Sequence, residues 1–215
     1  MIYNIGEIRR EVRRALDENK NSKTLLESDD QETLDLDDLI NSKIEEGARI
    51  IEEAAPLHML EQGHIFGGDA PYWDDAGDGR FASGMVLLPD DFMRLLSFKM
   101  SDWERAVTDA ITADDPLYGL QKSRHGGVRG NWQLPVVAIV NRQEGLALEF
   151  YSCRNREAYI SQALYLPYPR IEDGGIDLSR KCLPRIILMT AALTAEAYGE
   201  YQVAQALEAR AREAN

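Results

Sequence analysis

Hydrophobic residues recur along the chain with two different spacings, one helical and one strand-like. Residues 4–18 and then residues 37–62 place an apolar side chain every three or four positions, as amphipathic helices do. The same spacing extends over residues 183–212, which predicts a single closing helix of about 45 Å. The pattern therefore predicts three helices, two before the middle of the chain and one after it.

The middle of the chain has short apolar runs that are typical of β-strands. Leu146, Leu148 and Phe150 alternate with other residues, among them Glu149, and this period of two predicts a half-buried strand. Glycines and prolines interrupt the runs, as expected for the turns and loops between strands. Five strands are predicted, over residues 80–88, 93–100, 135–141, 146–153 and 159–166.

Helices at both ends with strands between them predict an α+β fold. We expect the N- and C-terminal helices, in residues 1–62 and 180–215, to pack as a bundle. Residues 63–179 would form an inserted antiparallel β region with long loops, and such loops are usually functional or mobile. The 215 residues are enough for one large domain or two small ones.

The stretch VLLPDDFMRLL, residues 86–96, combines an apolar run with a proline and two aspartates. Pro89 is unsuited to the middle of a strand or a helix, so we expect a strand, a fixed corner and a second strand. Asp91 is expected to accept local backbone N–H bonds in that corner, and Phe92 is expected to enter the core. Arg94 would pair with an acid, either in its own chain or in a neighbouring copy.

Charge is distributed unevenly along the chain. The net charge is −13, and residues 17–53 hold thirteen acids against four bases. Residues 119–142 contain four basic residues and no acid. Opposite charge in two regions favours contact between copies of the chain, although a solvated face and a solvated loop would show the same pattern. Specific binding to nucleic acid is disfavoured, because an acidic chain gains little from counterion release.

Residues with catalytic or metal-binding chemistry are few. His58, His64 and Asp69 are the nearest set to a metal site, but their spacing matches no metal-binding motif. Cys153 and Cys182 stand alone, which indicates two reduced thiols of an intracellular product. No apolar run is long enough for a membrane helix, and no nucleophile motif or phosphate loop occurs. We expect no cofactor, no metal and no catalysis. The alternative is a small cytosolic metal-dependent enzyme or binding domain that uses the two histidines and Asp69.

Several stretches, taken together, resemble a known family. The pattern Leu-Pro-x-Asp-Phe-x-Arg-Leu at residues 88–95, after a helical N-terminal segment, is similar to the head-to-tail adaptor (connector, or tail tubular protein A) proteins of short-tailed bacteriophages. The ring proteins of crAss-like phages are most similar, through INSKIEEGARIIEEAAP, KSRHGGVRGNWQLPVVAIV and the alanine-rich AEAYGEYQVAQALEARARE. The resemblance covers most of the chain and depends on the order and spacing of these stretches. The loop at residues 63–79 has no counterpart in it.

The resemblance implies a structural virion protein without catalysis. Copies of the chain would form a closed ring, commonly of twelve, beneath the portal protein at the capsid vertex. There the ring would extend the DNA channel and offer a platform to the next tail component. The protein would be made in the host cytoplasm and reside in the neck or tail of the virion, with no membrane partner. DNA would pass an acidic lumen without specific binding, because like charges repel.

A ring needs two different complementary surfaces on each copy, because its contacts are head-to-tail. Lys122, Arg124 and Arg129 are predicted to meet acids of a neighbouring copy or of a neck partner, with Trp132 as an apolar anchor. In an isolated chain this basic segment is expected to be mobile, because it has no periodic apolar face to bury. The acidic residues 17–53 would supply the opposing surface.

Overall fold

In the computed structural model the chain divides into two compact units. Unit 1 comprises Met1–Glu61 together with Pro169–Asn215, and unit 2 comprises Gln62–Tyr168. The structure describes residues 1–18, 36–61, 63–68, 70–74, 81–123, 125 and 127–213.

The described residues form eleven strands and five α-helices. In chain order these are β1 (Ile2–Asn4), α1 (Ile5–Glu18), α2 (Leu36–Ala54), β2 (His64–Ile65), β3 (Tyr72–Trp73), β4 (Ala82–Leu87), β5 (Phe92–Met100), β6 (Ile111–Thr112), α3 (Pro116–Leu120), β7 (Val137–Arg142), β8 (Gly145–Cys153), β9 (Ile160–Pro167), β10 (Ile171–Glu172), β11 (Gly175–Asp177), α4 (Leu183–Ala197) and α5 (Tyr201–Glu213). A short 3-10 helix, Leu57–Met59, follows α2. None of the helices in the described residues is both long and apolar enough to cross a membrane.

Unit 1 is built around α4, which packs against α1, α2 and α5. The apolar faces of these four helices meet in one core, where Val12, Ile40, Ile186 and Leu207 are fully buried. A three-stranded antiparallel sheet in the order β1-β11-β10 belongs to the same unit. Ile176 of β11 joins the helical core, so the sheet and the helices share one apolar interior.

Unit 2 contains two sheets that share a second core. One is the antiparallel sheet β2-β9-β5. The other has the order β3-β4-β8-β7-β6, and in it β6 pairs with β7 in parallel. Phe98 of β5 and Phe150 of β8 stack with ring centroids 6.0 Å apart, so the two sheets meet face to face through aromatic side chains.

The predicted fold class is wrong. The described residues form a mixed, sheet-rich α/β structure with three sheets, and not a helical bundle with one inserted antiparallel β region. Residues 2–4 form an edge strand before α1, so the unit that holds the terminal helices has its own sheet. The β6–β7 pair is parallel, so the middle of the chain is not purely antiparallel. Strands of two or three residues caused the error, because they are too short to show a period of two.

The longer predicted strands are present as β4, β5, β7, β8 and β9, and their ends differ from the predicted ends by up to two residues. The helix predicted over residues 37–62 ends earlier, at Ala54, and Pro56 then precedes the 3-10 helix. Proline has no N–H to continue the helical hydrogen bonds, which explains the early end. Residues 19–35, which lie between the first two predicted helices, are outside the described residues.

The closing helix predicted over residues 183–212 is also wrong, because α4 and α5 are separate helices. Gly199 lies between them with φ of +78°, a backbone conformation that favours glycine. Its N–H donates to the carbonyl of Glu196 at 2.8 Å, and the N–H of Glu200 donates to that of Ala195 at 2.9 Å. These two bonds form a Schellman motif, which ends α4. The chain then reverses, and α5 packs on α4 instead of extending it.

Candidate interaction surface

The centre of the larger sheet in unit 2 holds a buried carboxylate. Glu149 of β8 is only 4% exposed, although the alternating pattern of this strand predicts a solvent-facing side. That prediction is wrong, because residues on both faces of β8 are buried, and Tyr118 of α3 contacts Glu149. Glu149 pairs with Arg142 of β7 and accepts a hydrogen bond from the hydroxyl of Tyr151. Burial raises the pKa of Tyr151, and the neighbouring Tyr118 raises it further, so this hydroxyl remains a donor at neutral pH.

The same carboxylate holds α3 against the sheet. The hydroxyl of Tyr118 donates to Oε2 of Glu149 at 3.1 Å, and its ring lies edge-on to that of Tyr151 with centroids 6.4 Å apart. Asp115 caps the start of α3, since its Oδ1 accepts from the N–H of Leu117 at 2.8 Å. A five-residue helix has little stability of its own, so these contacts position it. We call residues 113–134, which contain α3, the anchored segment.

A second buried contact holds the chain beyond α3. Gln121 is 2% exposed, and its Oε1 accepts from the N–H of Gly130 at 2.9 Å. A Cβ on Gly130 would lie 2.9 Å from Cγ2 of Val136 and 3.0 Å from Oγ of Ser152, so glycine permits this close approach. Tyr118 therefore holds the anchored segment to the sheet, and Gln121 joins the end of α3 to Gly130 within the segment.

Arg129 and Trp132, both predicted to contact a neighbouring copy, have partners inside unit 2. The guanidinium of Arg129 donates to the carbonyl of Tyr151 and lies 5.0 Å from the ring centroid of Phe81. Trp132 packs on the aromatic core, and the guanidinium of Arg154 lies 3.9 Å from its ring centroid. The expected mobility of residues 119–142 in an isolated chain stays a prediction, and these two interior contacts are the ones that would oppose it. A contact of these two residues with another copy stays a prediction.

The anchored segment exposes apolar side chains together with Asp114 and Lys122. Lys122 is exposed, and Arg124, predicted to act with it, lies outside the described residues. The chain has no acid between Asp115 and Glu144. Four large apolar side chains in the segment are at least 41% exposed: Leu117, Leu120, Val128 and Leu134. Sequence reasoning missed these four, because α3 is too short to show an amphipathic period.

The corner at residues 88–92 lies between β4 and β5, as predicted, and Phe92 is buried at 7% exposure. The N–H of Phe92 donates to the carbonyl of Pro89 at 3.0 Å, which closes the turn. Phe92 stacks on Tyr165 of β9 with ring centroids 5.8 Å apart. Arg94 lies on β5, half-buried. These contacts are structural, and they lie within unit 2.

Asp91 of the corner has a different partner from the one predicted. Its Oδ1 accepts from the hydroxyl of Tyr165 at 2.9 Å, whereas local backbone N–H groups were expected. Its backbone carbonyl accepts from the N–H of Tyr168 at 2.7 Å. Burial raises the pKa of Tyr165 to about 12, and the hydrogen bond to Asp91 contributes in the same direction. Asp91 therefore joins the corner to the end of β9, a long-range contact that local sequence does not reveal.

The residues of the metal-site alternative lie in different elements. His58 is exposed in the 3-10 helix of unit 1, and His64 is exposed in β2 of unit 2, edge-on to Tyr165 with ring centroids 5.9 Å apart. Asp69 lies outside the described residues. Within the described ranges, no group of three or more His, Cys, Asp or Glu side chains is placed to hold a metal ion.

Both cysteines are free and buried. Burial raises the pKa of the Cys182 thiol to about 11 and also raises that of Cys153. Such thiols are protonated and poorly nucleophilic at neutral pH, so they act as small apolar side chains in the two cores.

Comparison with known proteins assigns no family to this chain. The chain matches no protein-family model and no curated protein.

Proposed function

We propose that this chain is a non-enzymatic structural protein of a bacteriophage virion. Copies would form a ring beneath the portal protein, extend the DNA channel and join the capsid to the next tail component. The order and spacing of the stretches that resemble the head-to-tail adaptors support the neck location. The proposal places the protein in the virion after synthesis in the host cytoplasm.

The anchored segment is the observation that carries the assembly role. Its inward side is held by Glu149 through Tyr118 and by the carbonyl of Tyr151 through Arg129, so its backbone is positioned before any partner binds. Its outward side exposes large apolar side chains beside Lys122. Exposed apolar groups with adjacent charge are typical of surfaces that another protein covers. A preorganised segment also loses less conformational entropy on binding than a mobile loop does.

The charge of the chain suits a channel through which DNA moves. The net charge of −13 per copy would be multiplied by the number of copies in a ring. An acidic lumen repels phosphates and lets DNA slide, because few counterions are released on contact.

Solution mass and particle images test the proposal. The purified chain should show a concentration-dependent shift from monomer to one closed species of about a dozen copies, as expected for a closing head-to-tail contact. Native mass spectrometry measures the copy number, and negative-stain electron microscopy shows whether the particles are rings with a central channel. The same images should show the ring on one end of purified portal protein when the two are mixed.

Two variants give this experiment a matched comparison. L117S/L120S removes two exposed apolar side chains of the anchored segment and should leave mainly monomer. Arg105→Glu, an exposed change elsewhere in unit 2, should assemble as the parent chain does. A parent chain that stays monomeric at the highest soluble concentration, with or without portal protein, would contradict the proposed function.

A further inference from the structure

A cavity of about 310 Å³ lies in unit 2, between the turn that joins β8 to β9 and the residues at the start of β4. Residues 75–80 lie outside the described residues and form no part of this site. The lining combines two guanidinium groups with an amide, a hydroxyl, an aromatic ring and a carboxylate: Arg154, Arg156, Asn155, Ser83, Phe81 and Asp74. Two arginines at one cavity are the groups that proteins use to bind oxyanions.

Arg154 is exposed to solvent, yet its side chain is held in place by stacking. Its guanidinium lies 3.9 Å from the ring centroid of Trp132, and its backbone N–H donates to Oδ2 of Asp102 at 2.5 Å. Among the described residues, no carboxylate forms an ion pair with this guanidinium. Stacking covers one face of the guanidinium plane, whereas its N–H groups lie in the plane and remain able to donate. Because the side chain is already positioned, it loses little entropy when an anion binds.

The turn between β8 and β9 brings the second guanidinium to the same cavity. Oδ1 of Asn155 accepts from the N–H of Glu157 at 3.0 Å, and this Asx turn fixes the local backbone. Nη2 of Arg156 donates to the backbone carbonyl of Asp74, which ties the turn to the residue after β3. The positions of both guanidinium groups are therefore set by contacts within unit 2.

The charge of the lining favours an anion with two charges over an anion with one. Asp74 is the acid among the described lining residues, and its Oδ2 already accepts from the hydroxyl of Ser83 at 2.8 Å. Two arginines against this acid leave a net positive charge, in a chain whose net charge is −13. A carboxylate carries one negative charge at neutral pH, whereas a phosphate monoester carries nearly two and offers three acceptor oxygens.

We propose that this cavity binds a phosphate group, supplied either as inorganic phosphate or as a phosphomonoester of a small organic molecule. Arg154 donates from the plane of its fork, which matches two phosphate oxygens, and Arg156 adds a second positive charge. The amide nitrogen of Asn155 adds a neutral donor, and the half-buried ring of Phe81 offers an apolar contact to the organic part of an ester. This site does not depend on the proposed ring, because it lies within a single copy of unit 2.

Isothermal titration calorimetry of the full chain with three compounds tests the proposal. Inorganic phosphate and adenosine 5′-monophosphate should both bind, whereas adenosine, which has no phosphate, should not. Tighter binding of the monophosphate than of inorganic phosphate identifies an organic ester as the favoured source, and equal binding identifies the free ion. R154Q should weaken binding about 10- to 100-fold, as loss of a hydrogen bond to a charged group does. R154K should fall between R154Q and the parent chain, because lysine keeps the charge but lacks the planar fork.

R10Q is the matched control, since Arg10 is an exposed arginine of α1 in unit 1. It should bind as the parent chain does. Nuclear magnetic resonance of the parent chain should show that phosphate shifts the amide signals of Ser83 and Asn155. No saturable binding of either phosphate compound up to about 10 mM would overturn the proposal. So would equal affinity of R154Q and R10Q, binding of adenosine as tight as that of its monophosphate, or signal shifts confined to other residues.

Discussion

Replacing Glu149 by alanine should loosen the anchored segment and destabilise unit 2. The carboxylate is 4% exposed and has three polar partners: Arg142, Tyr118 and Tyr151. Alanine removes the acceptor for both hydroxyls and the negative charge beside the guanidinium. Because α3 is too short to be stable alone, loss of its contact with the sheet should release it.

The magnitude follows from the exposure of each partner. Tyr151 is 4% exposed, so its hydroxyl is left without water, which costs about 1–3 kcal/mol. Arg142 is 42% exposed and regains water, so its share is about 0–1 kcal/mol. Tyr118 is half-buried, and its lost hydrogen bond adds about 0.5–1.5 kcal/mol. We expect a loss of about 2–5 kcal/mol in unfolding free energy, comparable with breaking a buried ion pair.

Two assays separate local release from general weakening. Urea unfolding measures the change in unfolding free energy. Hydrogen exchange should show faster exchange at the amide of Gly130, whose N–H is held by Gln121, while the amides between β5 and β9 keep their order of protection. Assembly of Glu149→Ala should also weaken, because the exposed leucines are no longer held in place.

Glu157→Ala provides the control, since Glu157 is an exposed acid that follows the end of β8. Its effect on unfolding should be within about 0.5 kcal/mol, as for most surface changes. An effect of Glu149→Ala as small as that of the control would refute the reasoning. Equally faster hydrogen exchange over the whole of unit 2 would refute the claim that the variant releases the anchored segment locally.

Three further changes test the packing of the two units. Phe92→Ala should cost about 3–5 kcal/mol in denaturant unfolding, because the ring is buried; a loss below about 1 kcal/mol would show that the corner was misunderstood. Gly47→Ala in α2 should destabilise the protein by about 1–2 kcal/mol, because the Cβ of the alanine would lie 2.6 Å from Oγ1 of Thr190. Alanine favours helix more than glycine does, but this gain is smaller than the cost of the close contact. Gly119→Ala is the control: no atom lies within 4 Å of its added Cβ, so this variant should be neutral or slightly stabilising. Burial raises the pKa of Glu52, so this carboxyl favours folding below its unfolded pKa, and that contribution is lost as pH rises through the folded pKa. Glu52→Gln should therefore raise Tm at pH 8 relative to the parent chain. It should also reduce the loss of unfolding free energy that the parent shows as pH rises above about 4–5. An unchanged pH profile would contradict the burial of Glu52 as the source of this loss.

Sequence alone determined the longer elements of this protein. The helical spacing in α1 and α2 and the apolar runs of β4, β5, β7, β8 and β9 are properties of residues close together in the chain. Pro89 restricts its own backbone and ended a strand where predicted. Such elements are stabilised largely by the burial of one apolar face. The spacing of apolar residues on that face is visible in a short stretch of sequence.

Short elements were decided by partners far away in the chain. β1 is a strand because residues 2–4 pair with residues 175–177, and no period in three residues reveals that pairing. The pair β6–β7 is likewise two residues long. Helical spacing of apolar residues continues from Ala197 to Tyr201, yet α4 ends before Gly199, which lies between them. Packing of α5 on α4 buries apolar surface that a single longer helix would leave exposed.

The candidate interaction surface shows the same division between sequence and structure. The basic charge of residues 119–142, which include Lys122, was evident from the sequence, because this stretch contains no acid. The sequence did not show which side chains point into unit 2 and which point to solvent, because this depends on the residues that pack against them from distant parts of the chain. Glu149 is buried where Tyr118 of α3 and Tyr151 contact its carboxylate, and Arg129 donates to the carbonyl of Tyr151 inside unit 2. Local sequence specifies which groups a surface contains, whereas tertiary contacts, which exchange water for buried partners, decide which of them remain exposed to bind another protein.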